Sequence, residues 1–183
     1  MIYNLFFLID SLFESFMLRY RKFVFMARTG NRVKDFSVLG SFSVSRAKSV
    51  KIGQNVTIYP NVSFSGGGEI TIGDNVQIGE GTIVYSHNKV EIGNNVAIAG
   101  QCYIIDCNHG TAKYELIQKQ ALEYHEEGIS IGNDVWIAAG CKIVKGACIK
   151  NGVVIGAMSL VNSEIEENAI AIGIPAVVRR FRE

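Results

Sequence analysis

"ITIGDNVQIGEG" (residues 70–81), "VEIGNNVAIAGQ" (90–101) and "ISIGNDVWIAAG" (129–140) are one phrase written three times. Within each copy an aliphatic residue returns after six positions, as Ile72 and Ile78, Ile92 and Ile98, Ile131 and Ile137. Followed outward, the series reads Ile52, Ile58, Phe64; Ile72, Ile78, Val84; Ile92, Ile98, Ile104; then, after a gap, Ile131, Ile137, Ile143, Ile149, Ile155 and Val161. Four positions after most of these stands a smaller residue: Val56, Val62, Val76, Thr82, Val96, Cys102, Val135, Cys141, Ala147, Val153 and Ser159. Gly, Asn and Asp fill the places between, where tight corners need unusual dihedrals. A period of six fits neither a helix nor a hairpin array. It fits short parallel strands wound as a prism, with one face per hexad and three hexads per coil. Fifteen hexads give five coils, a column about 25 Å tall at the usual strand spacing, and a degenerate coil at residues 38–50 extends its base.

The period breaks in a regular way. Phe64 to Ile72 and Val84 to Ile92 are steps of eight, and Ile104 to Ile131 is a step of twenty-seven. Phe64, Val84 and Ile104 lie twenty residues apart, so all three breaks fall on one edge of the prism. "SGGG" (65–68), "YSHN" (85–88) and "DCNHG" (106–110) therefore stack, with His87 one coil from His109. A coiled column can extrude chain at a corner without unpairing strands, and functional side chains gather on such loops. A polar loop extruded at residues 106–128 is expected there.

Net charge is +1, which gives no field for nucleic acid. Cys102, Cys107, Cys141 and Cys148 have no CxxC spacing, and no secretory signal precedes them, so they read as reduced, cytosolic thiols. The chain divides into an amphipathic helical segment (1–30), the column (31–178) and a basic C-terminal tail (179–183). In the first segment Leu5, Leu8, Leu12, Phe16, Tyr20 and Phe23 follow helical spacing, and Asp10, Glu14 and Arg19 interrupt the run before it could span a bilayer. Two readings stay open. The helix packs on the main domain or a neighbouring subunit, or it lies in a membrane plane with Arg19, Arg21, Lys22 and Arg28 near lipid phosphates. The segment is expected to be separable from the column.

The hexads, "DCNH" (106–109), "IGNDVWIAAGCKIVKGACIKNGVVIGAMSLV" (131–161) and "AIGIPAVVRRF" (171–181) resemble the hexapeptide-repeat acyltransferases over residues 50–180. The resemblance implies a left-handed parallel β-helix; ordinary crossover rules favour the opposite hand. It further implies transfer of an acetyl group from acetyl-CoA, no metal, and a homotrimer with active sites between columns. Within the family the chain is most similar to O-acetyltransferases of bacterial surface polysaccharides. The implied reaction acetylates a sugar hydroxyl in the cytoplasm, or at the inner face of the membrane. The alternative acceptors are the amine of a nucleotide-linked amino sugar and another small hydroxyl compound.

A hydroxyl cannot attack a thioester near neutral pH unless a base takes its proton, and an imidazole suits that work. "DCNH" matches the family's catalytic position, so the resemblance implies that His109 is the base. Asp106, three residues earlier, either orients the imidazole or bonds its own corner. Asn108 resembles a positioning residue, and His87 is a candidate acceptor contact on the same edge. Trp136 precedes the inward Ile137, so it points outward and needs cover from a subunit interface or a ligand. Ala139 and Ala157 match positions whose backbone amides hold the pantetheine arm. Many relatives carry a lysine where this chain has "NSE" (162–164), which leaves Arg179 and Arg180, with Arg182, as expected phosphate partners. A zinc enzyme using His87, His109 and His125 lacks ligand spacing, and a non-catalytic scaffold is the remaining competitor.

Overall fold

The computed structural model describes residues 2–45 and 50–183; among the side chains of residues 2–7 it describes only Phe6. The Leu5 side chain and positions 46–49 of the degenerate coil thus lie outside what is described.

The repeat becomes a three-faced parallel β column. One face stacks Phe36–Val38, Val56–Ile58, Gln77–Ile78, Ala97–Ile98, Trp136–Ile137, Val154–Ile155 and Ala169–Gly173, all parallel. The second runs from Phe42–Val44 to Leu160–Val161, and the third from Val50–Ile52 to Glu164–Ile165. Register follows the sequence: Ser37 pairs with Thr57 and Thr57 with Gln77, each twenty residues on. After the long break, Trp136 pairs with Val154, eighteen residues on. Every inward residue of the hexad series is at most 5% exposed, so the core is a continuous stack of Ile, Val and Phe. Thr82 and Ser159 join it because their hydroxyls find carbonyls, Ala99 O at 3.2 Å and Gly156 O at 2.7 Å.

The corners explain the repeated Gly-Asp-Asn phrases. Asn55, Asn75, Asn95 and Asp134 all have φ between 53° and 59°, the left-handed region that Asn and Asp tolerate. The residue before each of the last three lends its side chain to the coil beneath. Asp74 Oδ1 accepts from Gln54 N (2.6 Å), Asn94 Oδ1 from Asp74 N (2.7 Å) and Asn133 Oδ1 from Asn94 N (2.7 Å). One side chain per coil thus satisfies an amide that the corner would leave unpaired.

Among the described residues one face stacks seven parallel strands and the other two stack six each, so the column runs beyond the six coils that the hexads and the degenerate coil predict. The additional coil begins after Val161, where Ile165 follows in four residues and Ala171 in six. Shortening by two residues at the edge that elsewhere lengthens hides that coil from a search for sixes.

Both ends are closed. At the base, helix Ile2–Thr29 inserts Phe25 (0% exposed) against Phe36 and Phe42 at 5.5 Å and Phe64 at 6.2 Å between ring centroids. Arg21 donates to Leu39 O (3.2 Å), Lys22 to Lys34 O, and Asn31 bridges Val50 O (2.8 Å) and Ile52 N (3.1 Å). The expected separability therefore fails for the last two turns of the helix, whose aromatic plug is part of the core.

At the top, Ala176–Phe181 turns back antiparallel on Ala169–Gly173. The basic tail expected from residue 179 is instead the end of this strand, and Arg182 bonds Asp134 Oδ2 (2.8 Å) and Gly152 O (2.9 Å). The last coil has a free edge of backbone groups, and the returning chain pairs it.

Candidate active site

The edge predicted from the breaks exists. Ser65 pairs with Tyr85 and Tyr85 with Ile105, so the three insertions stack. Stacking is close enough to demand glycine: a Cβ on Gly66 (φ 100°) would lie 1.9 Å from Ser86 O, and one on Gly68 would lie 2.4 Å from Asn88 O.

Asp106 sits at the centre of this edge, 1% exposed. Its Oδ1 accepts from His87 N (2.6 Å); its Oδ2 accepts from Asn88 N (2.8 Å) and Lys89 N (2.7 Å) and lies 3.1 Å from Ser86 Oγ. Four donors converge on one buried carboxylate, the arrangement that offsets its desolvation. The expectation that Asp106 orients His109 is therefore corrected. The strand turns outward after Asp106, so its carboxylate faces the coil beneath and holds the 86–89 turn that carries His87.

The loop expected over residues 106–128 leaves the column as a hairpin. Cys107–His109 pairs antiparallel with Leu122–Tyr124, in the register Cys107 with Tyr124, Asn108 with Glu123 and His109 with Leu122. Gln120 clamps the tip through Ala112 N (2.7 Å), Ala112 O (3.0 Å) and Glu115 O (2.9 Å), and Lys145 meets Glu123 at 3.0 Å. His109 and Asn108 are exposed on this hairpin. His87 is half-buried, and its ring meets Tyr124 at 5.1 Å between centroids. Asn88 Nδ2 reaches His125 O and Glu126 O, both at 2.9 Å, and the His125 side chain is exposed. The hairpin is thus tied to the turn under it through Asn88 and the His87–Tyr124 contact, with His109 two residues beyond Cys107, the partner of Tyr124. Among the described residues no three His, Cys, Asp or Glu side chains come together as a metal-holding group.

An open cleft of ≈ 570 Å³ runs along this edge, lined by Ser45, Ser65, Gly66, Gly67, Tyr85 and His87. Hydroxyls, backbone and one imidazole suit a polar, hydroxylated ligand. Burial, then the neighbouring Asp106 charge, push the Cys107 thiol up, so this cysteine stays protonated beside the hairpin.

Ala139 and Ala157 stack at another corner and are exposed. Met158 N donates to Ala139 O (2.9 Å) and Gly140 N to Gly100 O (3.0 Å). Among the described residues the amides of Ala139 and Ala157 donate to no backbone carbonyl, so both are free for an outside acceptor. Arg179 and Arg180 are exposed at the top. Trp136 points outward as expected, 54% exposed between Ala97 and Val154. Tyr124, Ser65 and Tyr85 were not among the expected site residues. The twenty-residue spacing of Ser65 and Tyr85 was a usable signal; Tyr124 had none, because a hairpin register across a long loop cannot be read from spacing.

No family model matches the chain. WcaF of Escherichia coli, named provisionally as a colanic acid biosynthesis acetyltransferase, is 31% identical over 137 residues, 75% of this chain and 72% of that protein. WbbJ of the same organism, named provisionally as a lipopolysaccharide biosynthesis O-acetyl transferase, is 32% identical over 105 residues, 54% of each chain. The chain thus spans about half the length of that relative. Among solved structures, AntD, an N-acyltransferase from Bacillus cereus crystallised with dTDP and coenzyme A, superposes with a TM-score of 0.76 at 22% identity. The match covers 90% of this chain and 88% of AntD. The three-faced parallel column, the signature stretches and the match to WcaF agree: the chain belongs to the hexapeptide-repeat acyltransferases, built as a left-handed parallel β-helix.

Proposed function

We propose that the protein transfers an acetyl group from acetyl-CoA to a sugar hydroxyl in surface-polysaccharide synthesis, with His109 as general base. One observation carries this reading. His87 lines an open cleft of hydroxyls and backbone, and the hairpin that carries His109 packs on His87 through Tyr124. The names of WcaF and WbbJ, both tied to bacterial surface glycans, support the acceptor class.

In this reading the His109 imidazole takes the proton of the acceptor hydroxyl as its oxygen attacks the thioester carbon. The carbon–sulfur bond then breaks, and the same proton passes to the leaving thiolate, so atoms and charge balance. His87, held by Asp106 and backed by Tyr124, positions the acceptor, and Asn108 flanks the base. The free amides of Ala139 and Ala157 bind the pantetheine arm, and Arg179 and Arg180 take the phosphates. A cyclic trimer covers Trp136 and completes each cleft with a neighbouring column. The reaction belongs in the cytoplasm, where the co-substrate is.

The test is thiol release from acetyl-CoA by the full chain, screened against polysaccharide fragments, neutral sugars and nucleotide-linked amino sugars. Release with a glycan or sugar hydroxyl supports the reading. Release with the amino sugar alone replaces O- by N-transfer. Release with none, from protein that sediments as a trimer, overturns it in favour of a scaffold.

A further inference from the structure

The amphipathic helix is mounted with its apolar stripe outward. Arg21, Lys22, Phe25 and Thr29 face the column: Phe25 is in the core, and Arg21 and Lys22 bond backbone carbonyls there. At 3.6 residues per turn, Phe23 and Phe16 lie on the opposite side of the helix from Phe25. Ile9, Leu12, Phe13, Phe16, Tyr20 and Phe23 are each more than half exposed. They form one stripe about 21 Å long that no described part of the chain covers. Glu14 lies on the column side and meets Arg21 at 3.9 Å. Residues 19–34 contain Arg19, Arg21, Lys22, Arg28, Arg32 and Lys34 and no acidic residue. Of these, Arg19, Arg28, Arg32 and Lys34 are exposed.

We infer that this stripe docks on a lipid surface bearing anionic headgroups, with the helix in the plane of the interface and the column standing off it. An exposed stripe of this size needs a partner. An aromatic and aliphatic face beside a cluster of cations fits the boundary between acyl chains and anionic headgroups. A second copy paired in parallel fits less well, because the two basic clusters would meet. No described helix is long and apolar enough to cross a membrane, so the contact is peripheral. The inference is independent of the reaction assigned above.

The experiment is co-sedimentation of the full chain with vesicles of phosphatidylcholine, with and without phosphatidylglycerol, paired with analytical ultracentrifugation. Binding to the anionic vesicles, weakened by salt, is expected. Leu12→Gln with Phe16→Gln and Phe23→Gln, all at exposed positions, should weaken it by at least about 100-fold. Arg19→Gln with Arg32→Gln should weaken it about fivefold per charge. Failure of the wild-type chain to bind either vesicle overturns the inference. So does binding that the triple variant leaves unchanged. A triple variant that loses oligomeric mass, from a wild type indifferent to vesicles, would show the stripe to be a protein interface.

Discussion

Replacing Asp106 with Asn separates two accounts of this residue. The side chains are nearly the same size, so packing is kept and only the hydrogen-bonding pattern changes. Asp106 Oδ2 takes Asn88 N and Lys89 N and Oδ1 takes His87 N, all within 2.8 Å. An Asn can place its carbonyl oxygen at the Oδ2 site and keep two amides. Its NH2 group must then face the His87 N–H, donor against donor. One buried amide loses its acceptor, at about 1–3 kcal/mol, and the remaining bonds lose their charge assistance. A total near 3 kcal/mol corresponds to a fall in melting temperature of roughly 6–12 °C for a chain of this size. The 86–89 turn loosens with it, so His87 is displaced and the acceptor KM should rise more than kcat falls. Scanning fluorimetry and steady-state thiol release with the best acceptor read both effects. If the variant melts with the wild type and loses kcat at constant KM, Asp106 acts on His109 and the anchoring account is wrong.

The plug at the base gives a second prediction. Phe25→Ala should cost about 3–5 kcal/mol, whereas removing residues 2–16 should leave the melting temperature nearly unchanged; urea unfolding of both variants checks this. Stability should fall as pH rises above about 9, the value of the unfolded thiols. The Cys107 thiol is held up in the fold by burial and then by the Asp106 charge, so the folded state keeps a proton that the unfolded chain gives away. Urea midpoints at successive pH values test the sign, and Cys107→Ala should flatten the decline. Arg179→Ala with Arg180→Ala should raise the KM for acetyl-CoA by about tenfold and leave the acceptor KM alone, as two exposed charge-assisted contacts to phosphate would. An unchanged acetyl-CoA KM would remove both arginines from the site.

The sequence carried the fold wherever the period was kept. Ile72, Ile92 and Ile131 are legible because a prism face admits one inward residue per hexad, and all are buried. Ile165 was not, because shortening the edge by two residues preserves the stacking while erasing the count of six. Position on an edge was likewise legible: twenty-residue spacing sets Tyr85 over Ser65, and the pairing agrees. Side-chain partners were not. Asp106 and His109 are three residues apart, yet the chain turns outward between them, so adjacency in sequence becomes opposition in space. Helix spacing showed an apolar stripe but not which side faces the column, since Phe25 lies off that stripe and one aromatic plug decides the mounting.

The central claim is that His109 takes the acceptor's proton. The measurement is kcat for thiol release from acetyl-CoA, comparing wild type with His109→Ala at saturating acceptor, with coenzyme A affinity measured in parallel. Lost base catalysis should lower kcat by at least ~100-fold, about 2.7 kcal/mol of barrier, with coenzyme A affinity unchanged because the imidazole meets the hydroxyl and thioester rather than the phosphates. A His109→Ala protein that keeps most of its kcat would contradict the account and leave His109 as an exposed residue on a hairpin that merely departs from the column.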